Sequence, residues 1–291
     1  MRIPLFLAAA FALLGASSFG ASSAPASTLR VATPLLPIYL GNPYGATALP
    51  MALPAHAIYD PLTAPGPAGA ARPWLADSWA QSDPSTWIFK LKPGVVYSNG
   101  ERLTATSIVA GLEYLMTPQG GRDALNSLDV GAAIAKVEAV DALSVRIVTR
   151  AVDPILPTHL SFFRPPAPAA WAELIKAGDN VAATRHPVGT GPFKVESWET
   201  SRIVLRAHAA SWRAPKVDGL EIIVIPDPVA RTQALLSGAV DIAVGLPPSD
   251  RLQLEAAGLR LVARNVPVAS YVLFVTVAFS TWFIKRMRLA D

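Results

Sequence analysis

The stretch 75–115 carries a run of structural signals whose order constrains the fold of this chain more than any other feature. Trp87, Phe89 and Leu91 occupy every second position, which predicts a strand with one apolar, half-buried face. The residues at 83–85 favour a turn, because proline presets φ and short polar side chains bond the nearby backbone. The first half of the stretch is therefore predicted to form a hairpin.

The second half of the stretch predicts a capped helix. Asn99 and Gly100 form a pair that is typical of tight turns, and Thr104 lies where a helix N-cap is expected. Apolar residues then recur at helical spacing, at Ile108, Val109, Leu112 and Leu115. The predicted order is strand, turn, strand, turn and capped helix.

Strand and helix patterns alternate over the rest of the chain. A nearly continuous apolar run at 220–225 predicts a central strand, and a helix from Pro228 is expected to stop at Gly238, which tolerates a left-handed cap. Further patterns predict strands at 29–32, 193–198, 203–207, 241–244 and 259–263 and a helix at 248–257. This alternation is typical of an α/β sheet with βαβ units.

Two blocks of motifs resemble one known protein family. They comprise 75–79 (LADSW), 87–95 (WIFKLKPGV) and 99–105 (NGERLTA), then 187–193 (PVGTGPF), 211–213 (SWR), 216–220 (KVDGL), 236–238 (LSG) and 240–242 (VDI). Their order resembles the family 5 extracellular solute-binding proteins of peptide, dipeptide and nickel ABC transporters, over about residues 29–276. The sequence departs from the family at Ala239 and Ser107, where acidic residues are usual.

The resemblance implies a fold, a domain organisation and a function. The fold class is α/β, the N-terminal lobe of a periplasmic binding protein type II-like fold with an inserted subdomain. The expected parts are a signal peptide at 1–26, a lobe I core at 27–56 and 178–276, an inserted subdomain at 57–177 and a divergent or truncated tail at 277–291. The implied function is non-enzymatic: capture of a peptide-like small solute for an inner-membrane ABC permease.

The N-terminus carries the pattern of a secretory signal. Arg2 precedes an apolar run at 3–14, and small residues follow. We therefore expect export and a periplasmic mature protein. The chain contains no cysteine, so neither a lipid-modified N-terminal cysteine nor a disulfide is expected.

Composition and spacing argue against other classes of function. The net charge of +4 comes mostly from the two termini, which disfavours nucleic-acid binding by the body of the chain. The four histidines show no metal-binding spacing, and no G-x-S-x-G elbow or phosphate-binding glycine motif is complete, so no metal, cofactor or catalytic residue is predicted. Asp227 and Asp241 are predicted as caps or surface ion pairs, with a solute-amine contact as the alternative.

The candidate substrate-binding residues are Tyr44, Leu246 and Pro247. Tyr44 lies in the Pro/Gly-rich loop 34–45 after the first strand, and Leu246, Pro247 and Pro248 follow the strand at 241–244. Ligands of open α/β sheets bind at the carboxyl ends of strands, which favours both loops. Ordinary loop packing is the alternative at each position.

The last residues allow two interpretations. The segment 272–276 resembles the family's strand that crosses into a second lobe, which does not follow in this sequence. A truncated protein with one wall of the cleft is expected to bind solute weakly or not at all. Alternatively, residues 266–284 are uncharged and precede a basic cluster, which permits a membrane span and an exported interaction module anchored in the inner membrane.

Overall fold

A computed structural model describes residues 27–38, 40–45, 52–124, 130–176 and 184–262. The predicted signal peptide (1–26), the candidate membrane span (266–284) and the tail (277–291) lie outside the described residues. The chain divides into two units, Met1–Gly245 and Leu246–Asp291, and each is described by itself. Within the described ranges, no helix has the length and apolar character that crossing a membrane requires.

The elements follow one another as a mixed α/β chain. The strands are β1 (Thr28–Thr33), β2 (Thr63–Pro65), β3 (Ala71–Pro73), β4 (Ala76–Asp83), β5 (Thr86–Leu91), β6 (Ile134–Asp141), β7 (Ser144–Thr149), β8 (Phe193–Trp198), β9 (Arg202–Ala207), β10 (Gly219–Val224) and β11 (Ile242–Ala243). The helices are α1 (Leu53–Ile58), α2 (Ala105–Met116), α3 (Pro118–Asp123), α4 (Val130–Ala133), α5 (Leu156–His159), α6 (Pro168–Lys176), α7 (Pro228–Leu236) and α8 (Arg251–Ala256).

The first sheet has five strands in the order β11-β1-β10-β9-β8. Strand β1 pairs in parallel with both β10 and β11, whereas β10-β9 and β9-β8 are antiparallel. β10 is central, as its continuous apolar sequence predicts, and α7 makes the crossover from β10 to β11. Asp227 caps α7 by accepting a hydrogen bond from the Ala230 amide at 2.7 Å, and Gly238 has the left-handed φ of +72° expected after the helix.

The second sheet is antiparallel, in the order β4-β5-β7-β6. The predicted hairpin is confirmed as β4 and β5, and the side chains of Trp87, Phe89 and Leu91 are buried on one face of β5. Helix α2 packs its apolar side against this sheet, because Ile108 and Leu112 join the same hydrophobic cluster. A separate cluster fills the interior of the five-stranded sheet, around Ile203, Leu205 and Ile222.

Helix α2 begins with a capping box, as its sequence predicts. The backbone N–H of Thr104 donates to Ser107 Oγ at 3.2 Å, so the serine side chain completes the capping box. Ser107 is fully buried at the start of the helix. The start of the helix is therefore capped by a buried hydroxyl.

Replacing Ser107 by alanine should lower the free energy of unfolding by about 1 kcal/mol, because the Thr104 amide loses its acceptor. Urea denaturation of the variant measures this change. Glu113→Ala, at an exposed position in the same helix, is the matched control and should stay within about 0.5 kcal/mol of the parent chain. Equal stability of Ser107→Ala and the parent chain would show that the cap contributes nothing.

The second unit begins with a short 3₁₀ turn, Pro248–Asp250, and continues as α8. The predicted helix at 248–257 is thus confirmed, and Gly258 ends it with a φ of +76°. The strand predicted at 259–263 is wrong over its described part, since residues 259–262 form no ladder. Val262 is 80% exposed, and strand propensity without a packed face does not hold a strand.

Candidate functional site

The parallel strands of the first sheet bring three connections to one edge. The carboxyl ends of β1, β10 and β11 meet there, because the register pairs Thr33 with Val224 and Ala32 with Ala243. The loop that contains Tyr44 leaves β1 at this edge. The carboxyl edge of parallel strands is where open α/β sheets bind ligands, so the candidate site begins here.

Tyr44 is buried among aromatic rings. Its side chain is 5% exposed, and its ring centroid lies 5.6 Å from that of Trp171 and 6.2 Å from that of Phe163. A Cβ atom on Gly111 would lie 2.9 Å from Phe163 Cζ and 3.0 Å from the Tyr44 hydroxyl, which explains a glycine inside α2. This environment is that of core packing, and a solute contact at Tyr44 stays a prediction.

Leu246 and Pro247 are half-buried and lie in the coil that precedes the 3₁₀ turn of the second unit. Pro248, the first residue of that turn, is exposed. Their role in solute binding likewise stays a prediction.

Two buried N–H donors near Tyr44 have no hydrogen-bond partner in the described part of the chain: Asn42 Nδ2 and Trp171 Nε1. Asn42 Oδ1 accepts a hydrogen bond from the backbone N–H of Tyr44 at 2.9 Å, and the Trp171 ring contacts the Tyr44 ring. A further buried donor without a partner among the described residues is Arg164 Nε, whose guanidinium lies near Tyr59 and Asp60. Unpaired buried donors are costly, and the group that would satisfy them is an acceptor such as a carboxylate.

Arg164 carries a buried positive charge. The residue is 4% exposed, and within the described ranges no carboxylate forms an ion pair with its guanidinium. Its Nη1 makes only a long 3.4 Å hydrogen bond to the Phe162 carbonyl. Burial lowers the pKa of Arg164 to about 10, and the charges of Tyr59 and Asp60 oppose that shift. The side chain therefore stays protonated at neutral pH.

The acid near Arg164, Asp60, is committed to other partners. Its side chain is fully buried, and it accepts hydrogen bonds from Trp74 Nε1, Thr190 Oγ1 and Trp212 Nε1 at 2.9 Å each. Arg213 Nε donates to it at 2.6 Å. These five residues are here called the Asp60 network. Because four donors surround the carboxylate, it does not pair with Arg164.

The Asp60 network joins residues from motifs that lie far apart in the sequence. Trp74 precedes the 75–79 motif, Thr190 lies in the 187–193 motif, and Trp212 and Arg213 belong to the 211–213 motif. A Cβ atom on Gly189 would lie 2.1 Å from the Ile58 carbonyl oxygen, so only glycine permits this loop to approach the end of α1. Gly189 of the 187–193 motif thus has a packing role.

Other titratable residues serve local structure. Asp241 pairs with Arg30 at 2.9 Å on the surface, and this contact lowers the pKa of Asp241. His159 lies 3.0 Å from Asp153, and His208 lies 3.1 Å from the Gly191 carbonyl oxygen. In the ranges that the structure describes, no group of three or more metal-binding side chains is close enough to hold an ion.

Sequence reasoning missed Asp60 and Arg164. Asp60 gave no periodic signal, since it follows α1 in a turn next to Pro61. Arg164 did leave a signal: it is the single formal charge in the stretch 160–172, which is otherwise apolar, prolyl or small. A single charged residue in such a stretch is either buried with a functional role or exposed in a turn. The sequence does not distinguish these two cases, whereas the structure does.

Comparison with known proteins addresses the family. Residues 70–290 match the family model of bacterial extracellular solute-binding proteins, family 5 Middle. This chain belongs to that family. The sequence is 28% identical over 240 residues to the nickel-binding periplasmic protein of Escherichia coli K12, covering 81% of this chain and 44% of that protein. It is 30% identical over 189 residues to the glutathione-binding protein GsiB of Pectobacterium atrosepticum, covering 62% and 35% of the two chains.

Solved structures of similar proteins support the same fold. The solute-binding protein MoaA from A. tumefaciens R10, in complex with mannopinic acid, is 30% identical with a TM-score of 0.69, covering 79% of this chain and 48% of that one. DppA from Helicobacter pylori, in complex with the peptide STSA, is 22% identical with a TM-score of 0.66, covering 79% and 48%. The fold is that of the N-terminal lobe of a type II periplasmic binding protein. The chain spans about half the length, or less, of these relatives.

Proposed function

We propose that this family 5 protein is the periplasmic solute-binding component of an ABC importer and captures a small peptide-like or nickel-complex solute. The family match and the relatives named above support this function. The protein then delivers its solute to an inner-membrane permease and carries out no chemical reaction itself. The rival interpretation, an anchored interaction module, finds no supporting helix in the described ranges, and its candidate segment 266–284 lies outside them.

We further propose that the solute carries a carboxylate and that Arg164 binds it. The main observation is the buried guanidinium of Arg164, which lacks a carboxylate partner among the described residues. The nearby Asp60 carboxylate accepts its hydrogen bonds from other donors, including Arg213. Hydrogen bonds between a guanidinium and a carboxylate are short and strong, and they gain further strength where water is excluded. Free peptides, glutathione and amino-acid complexes of nickel all carry such a group.

The Nε–H of Arg164 offers a direct readout of this site. In a protein labelled with ¹⁵N, addition of a dipeptide with a free C-terminus should shift the Arg164 Nε resonance, because an acceptor reaches a donor that has none among the described residues. The matched C-terminal amide of the same dipeptide lacks the negative charge and should shift it much less. This measurement detects weak binding, so it remains informative if the affinity is low.

Two results would contradict the proposal. Equal shifts with the acid and the amide would show that no carboxylate is recognised. If peptides, glutathione and nickel complexes all leave the Arg164 Nε resonance and the heat of titration unchanged, the chain does not bind these solutes.

A further inference from the structure

The guanidinium of Arg231 holds three backbone carbonyls at the carboxyl edge of the five-stranded sheet. Arg231 lies on α7 and is 4% exposed. Its Nη1 donates to the carbonyl oxygens of Ile225 and Pro226, and its Nη2 donates to that of Gly245, each at 2.7 Å. One side chain therefore joins the connection after β10 to the connection after β11.

The same guanidinium lies close to the loop that leaves β1. A Cβ atom on Gly245 would lie 3.7 Å from Arg231 Nη2 and 3.9 Å from Pro34 Cγ, so the β1 loop reaches the same point. Gly245 has a φ of +70°, a conformation that aims its carbonyl at Arg231 and that residues with a Cβ rarely adopt. Arg231 thus binds two connections, and the loop after β1 lies beside one of them at Gly245.

We infer that Arg231 is a positioning residue that fixes the connections after β10 and β11 relative to one another, beside the β1 loop, and so shapes the edge that meets the solute. The part of this inference that concerns solute rests on the proposed function. A guanidinium presents its donors in a rigid planar fork and can hold three carbonyls at once, whereas a lysine ammonium is a single point on a flexible stem. Loops fixed before binding need not be ordered by the solute, which favours affinity.

Hydrogen exchange of the free protein tests, without any solute, whether Arg231 holds the connections after β10 and β11. The amides of Ile225 and Val244 donate to Thr33 and Ala32 at 2.9 Å each, so they report on the two held connections. In Arg231→Met these amides should exchange about tenfold faster or more, while amides in the middle of β5, in the other sheet, keep their rates. Arg206→Met, which removes an exposed arginine paired with Glu196, is the matched control and should change neither group.

Solute affinity provides the second readout. Arg231→Met should weaken binding of the solute about tenfold under conditions in which both chains are fully folded, and Arg231→Lys should recover part of the loss. Unchanged exchange at Ile225 and Val244 would overturn the inference. So would faster exchange of every protected amide, since that result assigns Arg231 to global stability alone. If the parent chain binds no solute, the proposed function is wrong. The exchange measurement still decides whether Arg231 holds the connections after β10 and β11.

Discussion

Replacing Asp60 by alanine should lower the free energy of unfolding by about 3–5 kcal/mol. The carboxylate is fully buried and accepts four hydrogen bonds from three separate parts of the chain. Its loss leaves the donors of Trp74, Thr190 and Trp212 inside the protein without an acceptor. It also leaves the guanidinium of Arg213 without its carboxylate, so polar and charged groups are unpaired at the same point.

Urea denaturation followed by tryptophan fluorescence measures this loss. Asp60→Asn should fall between the parent chain and Asp60→Ala, because the amide oxygen still accepts while its NH₂ group faces donors. Asp77→Asn is the matched control, since Asp77 is 44% exposed and pairs with Lys92 at the surface, and it should cost less than about 1 kcal/mol. If Asp60→Ala costs no more than Asp77→Asn, the Asp60 network does not hold the structure together.

Replacing Arg164 by methionine should abolish most solute binding while leaving the fold intact or stabilising it. The loss of a charge-assisted hydrogen bond to a carboxylate corresponds to about a 10- to 100-fold weaker affinity. Stability should change in the opposite direction, by about 1 kcal/mol, because an unpaired buried cation is replaced by an apolar side chain of similar length. A replacement that weakens solute binding but raises stability is typical of a residue whose role is binding.

Calorimetric titration and urea denaturation of the same samples measure the two effects. Arg202→Met is the control, because Arg202 is 49% exposed and pairs with Glu221 on the surface, and it should change neither affinity nor stability by much. A strongly destabilised Arg164→Met would indicate that the guanidinium has a structural role. Unchanged affinity in a stable variant would remove Arg164 from the site.

Much of the fold was predictable because it depends on local patterns. The alternation of Trp87, Phe89 and Leu91 matches the buried face of β5, and the apolar run at 220–225 matches the central strand β10. Turn and cap residues fixed element ends, as with Gly238 after α7. The strand predicted at 259–263 is wrong over residues 259–262 for the converse reason: an apolar pattern becomes a strand only where a partner strand and a packed face exist.

The site was less predictable, since its residues owe their roles to long-range contacts. Position after a strand selected Tyr44, and only the structure shows that its ring packs against Trp171 and Phe163 in the interior. A solute contact at Tyr44 stays a prediction. Asp60 and Arg164 are charged residues whose burial depends on segments far away in sequence. No periodicity encodes such a contact.

By itself the sequence determined the family, the alternation of strands and helices, and the apolar faces that drive each element into a core, because these depend on residue order over short stretches. Only the tertiary structure decided which polar groups are buried and which remain unpaired. Asp60 accepts hydrogen bonds from four donors, whereas Arg164 has no carboxylate partner among the described residues. The physical reason is that the cost of a buried charge is set by the partners that folding brings within hydrogen-bond distance.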